Sequence, residues 1–184
     1  IDAPSNGMDY MLQLDYKPKN YLEMYIRFKE EIKSGSDNTN STNGLGTIDT
    51  RKFRYQLSYS VNSRLKLKNR FEIIQYNKNE NTPEYGYLVY QDISYSFAKT
   101  PLQLAFRYGI FDAETFDTKI YAYETDVLYA FSVPAYYSKG VRTYLMSRYN
   151  VNDHLVVWFR IGQFWYYDKT TVGSGLTEID GRTK

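Results

Sequence analysis

Long stretches of this chain alternate apolar and polar residues with a period of two, and this pattern limits the possible folds more than any other feature. In residues 53–61, FRYQLSYSV, every second residue is apolar, and the pattern resumes in residues 65–73, LKLKNRFEI. Such alternation predicts β-strands with one apolar and one polar face. The three residues between them, Asn62 to Arg64, have the composition of a tight turn, so the two strands are predicted to form a hairpin.

The same alternation recurs along the chain, and we count about eight strands of roughly 10 to 13 residues, against about 5 to 6 in an average strand. A strand that crosses a bilayer at a tilt needs about 9 to 11 residues. Short turns are predicted at residues 17–20, 62–64, 98–101 and 150–154. Long connections are predicted at 34–49, a flexible polar loop, and at 77–85 and 112–140. This pattern is typical of outer-membrane proteins, with short turns on the periplasmic side, and predicts an all-β, antiparallel transmembrane β-barrel.

The composition excludes several classes of protein. The mean hydropathy is −0.59, and no apolar run approaches the roughly 18 residues of a membrane-spanning helix. Cysteine is absent, which excludes disulfides, thiolate catalysis and cysteine-bound metals. The net charge of +2 is too small to indicate a nucleic-acid partner. We predict no cofactor and no metal.

Aromatic residues are abundant, with 21 Tyr in 184 residues, and several lie at the ends of the apolar faces. Rings at strand ends with aliphatic residues between them are typical of the aromatic girdle of a lipid-facing surface. The predicted girdle residues are Tyr16, Tyr87, Tyr95, Phe97, Trp165 and Tyr167. The alternative is that these rings fill the core of a soluble β-sandwich.

The polar faces of the predicted strands carry more basic than acidic residues, and in a barrel they face the lumen. The predicted lumen-facing basic residues are Arg54, Lys66, Lys68, Arg70, Arg107, Arg142, Arg148 and Arg160. The acids on these faces include Asp15, Glu23, Glu72 and Asp92. Two interpretations stay open: a basic channel that favours anionic solutes, or charge pairs between neighbouring strands that stiffen a wall or hold a plug.

Two amides interrupt the apolar pattern near the middle of predicted strands. Asn69 and Gln91 fall on the apolar side of the alternation, and a hairpin closed by the loop at 77–85 places them opposite each other. A mutual hydrogen bond would then reduce the cost of removing two amides from water. The alternative is that this patch contacts a partner protein.

The connection at 112–140 is apolar enough to be ordered, and we predict an outer hairpin above the bilayer or folded over the mouth of the barrel. Pro134 restricts it to an edge or a bend. Its tyrosines form either a binding or gating surface or a structural lid that packs on its own rings. They are Tyr121, Tyr123, Tyr129, Tyr136 and Tyr137.

Two stretches carry a resemblance to a known family. Residues 119–151, KIYAYETDVLYAFSVPAYYSKGVRTYLMSRYNV, and residues 171–184, TVGSGLTEIDGRTK, resemble the C-terminal barrel region of outer-membrane proteins of the Bacteroidota, including those associated with helix-hairpin-helix domains. The resemblance implies an integral protein of the bacterial outer membrane more than it implies an activity. That family continues into a closing strand after the second stretch. The closing strand of that family and the strand count of this chain together lead us to expect that residues 1–184 are an internal or C-terminal segment of a larger barrel.

No arrangement of residues indicates an enzyme. The only histidine, His154, lies in a predicted turn without a nearby serine, so it is interpreted as a solvated turn residue. We therefore predict a non-enzymatic protein that acts as a porin-like pore, a transport component or a structural component of an outer-membrane complex. Membrane lipid is the expected partner, with outer-membrane proteins or lipoproteins as candidates. The alternative is a secreted or surface β-sandwich that binds carbohydrate or protein.

Overall fold

A computed structural model describes residues 6–37, 44–79, 81–173 and 175–184, and it is an all-β structure. Eight long strands form the main sheet: β1 (Gly7–Lys19), β2 (Leu22–Asp37), β3 (Gly44–Ser60), β4 (Leu65–Lys78), β5 (Glu84–Ser96), β6 (Leu102–Ala113), β9 (Ser138–Asn150) and β10 (Val156–Tyr166). The short strands β7 (Ile120–Tyr121) and β8 (Ala135–Tyr136) pair with each other, as do β11 (Thr171–Val172) and β12 (Ile179–Asp180). A 3₁₀ turn occupies Gly175–Thr177.

Every neighbouring pair in the main sheet is antiparallel, in the order β1-β2-β3-β4-β5-β6-β9-β10. Three of the four short turns lie where the alternation predicted them. The turn predicted at residues 17–20 lies at residues 20–21 instead, because β1 continues to Lys19 after a register shift that follows Tyr16. In the described part of the chain β1 and β10 do not pair, so the sheet is not closed. Beyond β10, Thr183 forms an isolated antiparallel bridge with Trp165, and the Phe164 amide donates to the Lys184 carbonyl at 2.7 Å.

Five of the eight strands have the predicted 10 to 13 residues, and three are longer: β4 with 14 residues, β2 with 16 and β3 with 17. The prediction of a loop from residue 34 to residue 49 was wrong for its two ends. β2 continues to Asp37 and β3 begins at Gly44, with Ser34 opposite Thr47 and Gly35 opposite Gly46. Ladder hydrogen bonds between two strands that are already aligned outweigh the weak strand preference of Gly, Ser and Asp. The middle of that predicted loop, residues 38–43, lies outside the described residues.

The two faces of the main sheet differ in what covers them. We call the face that carries Arg70, Arg107 and Arg142 the inner face, and the opposite one the outer face. Buried residues of β4, β5, β6, β9 and β10 lie on the inner face because cross-strand neighbours share a face. The outer face carries apolar side chains that are exposed on every strand of the sheet.

Residues 114–137, which connect β6 to β9, pack against the inner face, and we call them the inward segment. Ile120, Ala122 and Tyr136 of this segment are buried in one cluster with Leu88 and Phe111 of the sheet. Gly86 allows the close approach, because a Cβ atom there would lie 2.3 Å from the carbonyl oxygen of Thr118. The core of the protein therefore lies between the inward segment and strands β4 to β10.

Candidate functional site on the inner face

A bidentate ion pair joins β5 and β6 at the centre of the inner face. The Arg107 guanidinium donates from Nε and Nη2 to the two Asp92 oxygens at 2.5 and 2.7 Å. These residues are direct cross-strand neighbours, and Arg107 is only 1% exposed. Its guanidinium carbon lies 3.7 Å from the centroid of the Tyr90 ring. Fork-to-carboxylate pairing of this kind combines strength with fixed geometry.

A single buried carboxylate attaches the inward segment to β9 and β10. Glu124 accepts from Arg142 Nε at 2.8 Å and Nη2 at 2.7 Å, and it also accepts from Arg160. Gly162 makes room for this arrangement, since a Cβ there would lie 2.7 Å from Arg142 Nη2. Glu124 is completely buried. Two positive charges on the sheet thus surround one negative charge on the segment.

Tyr136 links this group to the Arg107 pair. Its hydroxyl donates to Glu124 Oε1 at 2.9 Å and accepts from Arg107 Nη1 at 3.3 Å. Burial and the nearby Glu124 carboxylate raise the pKa of Tyr136, so its hydroxyl stays protonated and keeps donating at neutral pH. The Phe111 ring packs edge-on against Tyr136, Phe164 and Tyr166, with centroid separations of 5.5, 5.7 and 5.9 Å.

A third charged group lies on β3 and β4. Arg54 donates to both oxygens of Glu72 at 2.9 Å, and Arg70 contacts the same carboxylate from within β4. Arg70 Nη2 also lies 3.4 Å from the backbone oxygen of Tyr121 in the inward segment. Glu72 and Arg70 are both buried. The segment therefore contacts charged groups on both halves of the sheet.

The structure places all eight basic residues that were predicted to face a lumen on the inner face. Five of them form ion pairs: Arg54, Arg70, Arg107, Arg142 and Arg160. Among the side chains that the structure describes, Lys66, Lys68 and Arg148 have no ion-pair partner. Ion pairs to neighbouring strands, within β4 or to the inward segment thus account for five of the eight residues.

The predicted girdle residues point away from the charged groups. Tyr16, Tyr87, Tyr95, Phe97 and Trp165 lie on or beside the outer face, and Tyr167 immediately follows β10; they are 38% to 61% exposed. Asn69 and Gln91 are direct cross-strand partners, and the Asn69 amide donates to the Gln91 side-chain oxygen. The prediction that these two amides meet is confirmed.

The five tyrosines of the predicted outer hairpin occupy different environments. Tyr129 is 98% exposed, Tyr121 and Tyr123 are about half exposed, and Tyr137 is partly buried. Tyr136 is completely buried. Four of the five therefore contact solvent in this arrangement, whereas the fifth belongs to the core.

Sequence reasoning did not single out Glu124, although a signal for it was present. In residues 120–124, IYAYE, the buried positions are Ile120, Ala122 and Glu124, and the tyrosines between them are exposed. The alternation used elsewhere would have placed this acid on the buried side. Arg27, Lys29 and Lys52 were also left out of the predicted basic set, although all three lie on the inner face.

Within the described ranges, no group of three or more His, Asp or Glu residues is arranged to hold a metal ion. His154 lies in the turn before β10, is exposed, and its backbone amide donates to Asn152 Oδ1 at 2.9 Å.

No family model, curated protein or solved structure matches this chain. Within the described residues, no helix is long and apolar enough to span a membrane.

Proposed function

We propose that this chain is part of an integral, non-enzymatic β-barrel protein of the bacterial outer membrane, and that its eight long strands form part of the barrel wall. The observation that carries the proposal is the exposed apolar outer face of the sheet. Buried ion pairs lie among the apolar core residues of the inner face, while apolar side chains are exposed on the outer face of every strand. A protein folded in water rarely exposes so continuous an apolar surface.

The exposed apolar surface extends over the whole sheet. One representative from each strand in sheet order is Leu14, Ile26, Phe53, Phe71, Val89, Ile110, Leu145 and Ile161, and these side chains are 36% to 64% exposed. Soluble monomers rarely expose a continuous apolar patch of more than a few hundred Å². Contact with lipid hydrocarbon gives such a surface a favourable environment, and the aromatic residues at its ends match a girdle.

Strand length supports the same placement. The shortest strand of the main sheet, β10, has 11 residues. At a rise of about 3.3 Å per residue and a tilt of about 40°, it spans about 28 Å along the membrane normal, compared with an apolar band of about 25 Å. Every strand in the sheet is therefore long enough to cross the hydrocarbon layer.

The free edges bear on the size of the barrel. β1 and β10 are the two edge strands of the sheet. In lipid, the backbone N–H and C=O groups of an edge strand need hydrogen-bond partners, which only a further strand can supply along its whole length. We propose that additional strands, from the same polypeptide or another, complete the barrel. The bridge between Trp165 and Thr183 is the start of such pairing at β10.

Within this class, the inner face favours a plugged or structural role over a wide open pore at this part of the wall. The inward segment covers the inner face of β5 to β10 and is fixed there by Glu124. The resemblance of residues 119–151 and 171–184 to outer-membrane proteins of the Bacteroidota supports the same location.

Extraction and electrophoresis test the proposal. The protein is produced in a Gram-negative host, extracted from outer membranes in mild detergent, and run in SDS with and without boiling. We expect it in the membrane fraction, with migration that changes on boiling. Recovery in the soluble fraction without detergent, with migration unchanged by boiling, would instead support a secreted or surface β-sandwich that binds carbohydrate or protein.

A further inference from the structure

A cavity of about 180 Å³ lies between the inward segment and the inner face of β2, β3 and β4. Five of the eight side chains that line it are cationic: Arg27, Lys29, Lys52, Arg54 and Lys119. The remaining three are Glu72, Ile74 and Tyr121. We propose that this cavity binds a phosphate group, either as inorganic phosphate or as the phosphoryl group of an ester.

The described acids pair with two of the five cations, Lys29 and Arg54, and leave Arg27, Lys52 and Lys119 without an ion-pair partner among the described side chains. Glu72, the one carboxylate among the described lining residues, is shared between Arg54 and Arg70. The neutral side chain of Gln13 accepts from Arg27 Nε at 2.7 Å, and Lys119 donates to the Phe116 backbone oxygen at 3.0 Å. An anion in the cavity would therefore supply charge that the protein itself does not.

Lys29 and Lys52 are direct cross-strand neighbours on β2 and β3. Lys29 Nζ lies 2.5 Å from Asp9 and 3.7 Å from Glu31. Lys52 forms no ion pair with any side chain that the structure describes. Like charges directly opposite each other destabilise a sheet, and a bound dianion would remove that repulsion.

The inner face of β5 to β10 has a different charge balance. Asp92 matches Arg107 there, and Glu124 with Asp126 matches Arg142 and Arg160. Three cations without an ion-pair partner among the described side chains, Arg27, Lys52 and Lys119, meet at the cavity, whereas the other three, Lys66, Lys68 and Arg148, lie elsewhere on the inner face. All five of its cationic residues are partly buried, so an anion there is attracted more strongly than on an open surface, where water screens the charges.

The donors fit a phosphate group in type as well as charge. Arginine presents a planar fork suited to phosphate oxygens, and lysine adds a compact point charge. The cavity has room for a phosphoryl group with several water molecules, since one water needs only about 10 to 15 Å³ of such space. Tyr121 is the only aromatic residue in its lining, so nothing there stacks a nucleobase on both sides.

Calorimetric titration of the purified chain in detergent with inorganic phosphate tests the proposal. We expect saturable binding, weakened about tenfold or more by Lys52→Gln and by Arg27→Gln. Lys99→Gln, in the exposed turn between β5 and β6, is the matched control and should bind as the unchanged chain does. Absence of saturable binding by the unchanged chain, or an equal loss in the Lys99 variant, would overturn the site.

A parallel titration with glycerol phosphate distinguishes the two sources. Tighter binding of the ester assigns the site to a phosphoryl group on a larger molecule, and tighter binding of phosphate assigns it to the free ion. The cavity lies on the inner face, whereas the proposed membrane role rests on the outer face. Phosphate binding is therefore a separate property and does not require that the outer face contacts lipid. Heat-dependent migration of each variant in SDS reports folding separately, so a failed binding experiment and a failed barrel assignment are distinguishable.

Discussion

Glu124 carries the buried ion pairs between the inward segment and strands β9 and β10. It is the completely buried acid that two arginines of β9 and β10 and the hydroxyl of Tyr136 all contact. A buried pair is not in itself strong evidence of stability, but removing one partner leaves uncompensated charge in a place that water does not reach. Removing this carboxylate should therefore lower the free energy of unfolding by more than the ion pairs contribute to it.

We predict that Glu124→Gln, which preserves shape and removes the charge, lowers the free energy of unfolding by about 3 to 5 kcal/mol. Urea unfolding of the chain in lipid vesicles measures the change. The matched control is Glu178→Gln at an exposed position, which should shift stability by less than about 0.5 kcal/mol. Equal stability of the two variants would mean that Glu124 does not hold the segment.

A second prediction concerns the amide pair on the outer face. Replacing Asn69 and Gln91 together by Leu removes two polar groups that hydrogen-bond mainly to each other and to backbone oxygens. If this patch faces lipid, the double variant should be as stable as the unchanged chain or more stable. Loss of a co-purifying protein from mild-detergent extracts would instead identify the patch as an interface.

At the scale of elements, the alternation in the sequence was sufficient to predict the eight long strands, their faces and three of the four short turns between them. It placed the first turn within the end of β1. It also predicted the meeting of Asn69 and Gln91, because hairpin register is a local property. The ends of β2 and β3 were missed, because turn-forming residues there are held in the ladder by pairing. The contact between Glu124 and Arg142 was missed because it joins an irregular connection to the strand that follows it, 18 residues later, and alternation sets no register for such a contact.

The inward segment gives the third prediction. Replacing residues 118–136 by a flexible Gly-Ser linker should uncover Leu88, which is completely buried beside Ile120 and Tyr136. The chain has no cysteine, so Leu88→Cys provides a single labelling site. We expect it to react with an aqueous maleimide only when the segment is replaced. Val89→Cys, the next residue on the opposite face, should show no such change, and an unreactive Leu88→Cys in the replaced chain would contradict the packing.

At the scale of the whole molecule, the outer face of the sheet exposes apolar side chains on every strand, which a protein folded in water rarely does. The sequence predicted which residues share a face, but alternation is common to soluble and membrane β-proteins and does not decide which face is covered. The structure adds that the charged face is the one packed beneath the inward segment. It also shows that no second sheet of comparable size covers the apolar face within the described residues.

The most direct measurement of that claim is cysteine labelling by a membrane-impermeant maleimide in intact outer membranes, with Val89→Cys and Ile26→Cys on the outer face and Ser58→Cys on the inner face. Both outer positions are 45% exposed in the protein alone, so only lipid would protect them from the reagent. We predict that they stay unlabelled until detergent and heat unfold the protein, while Ser58→Cys reacts in the membrane. Labelling of Val89→Cys and Ile26→Cys in the membrane at the rate of Ser58→Cys would show that the apolar face lies in water and would contradict its contact with lipid.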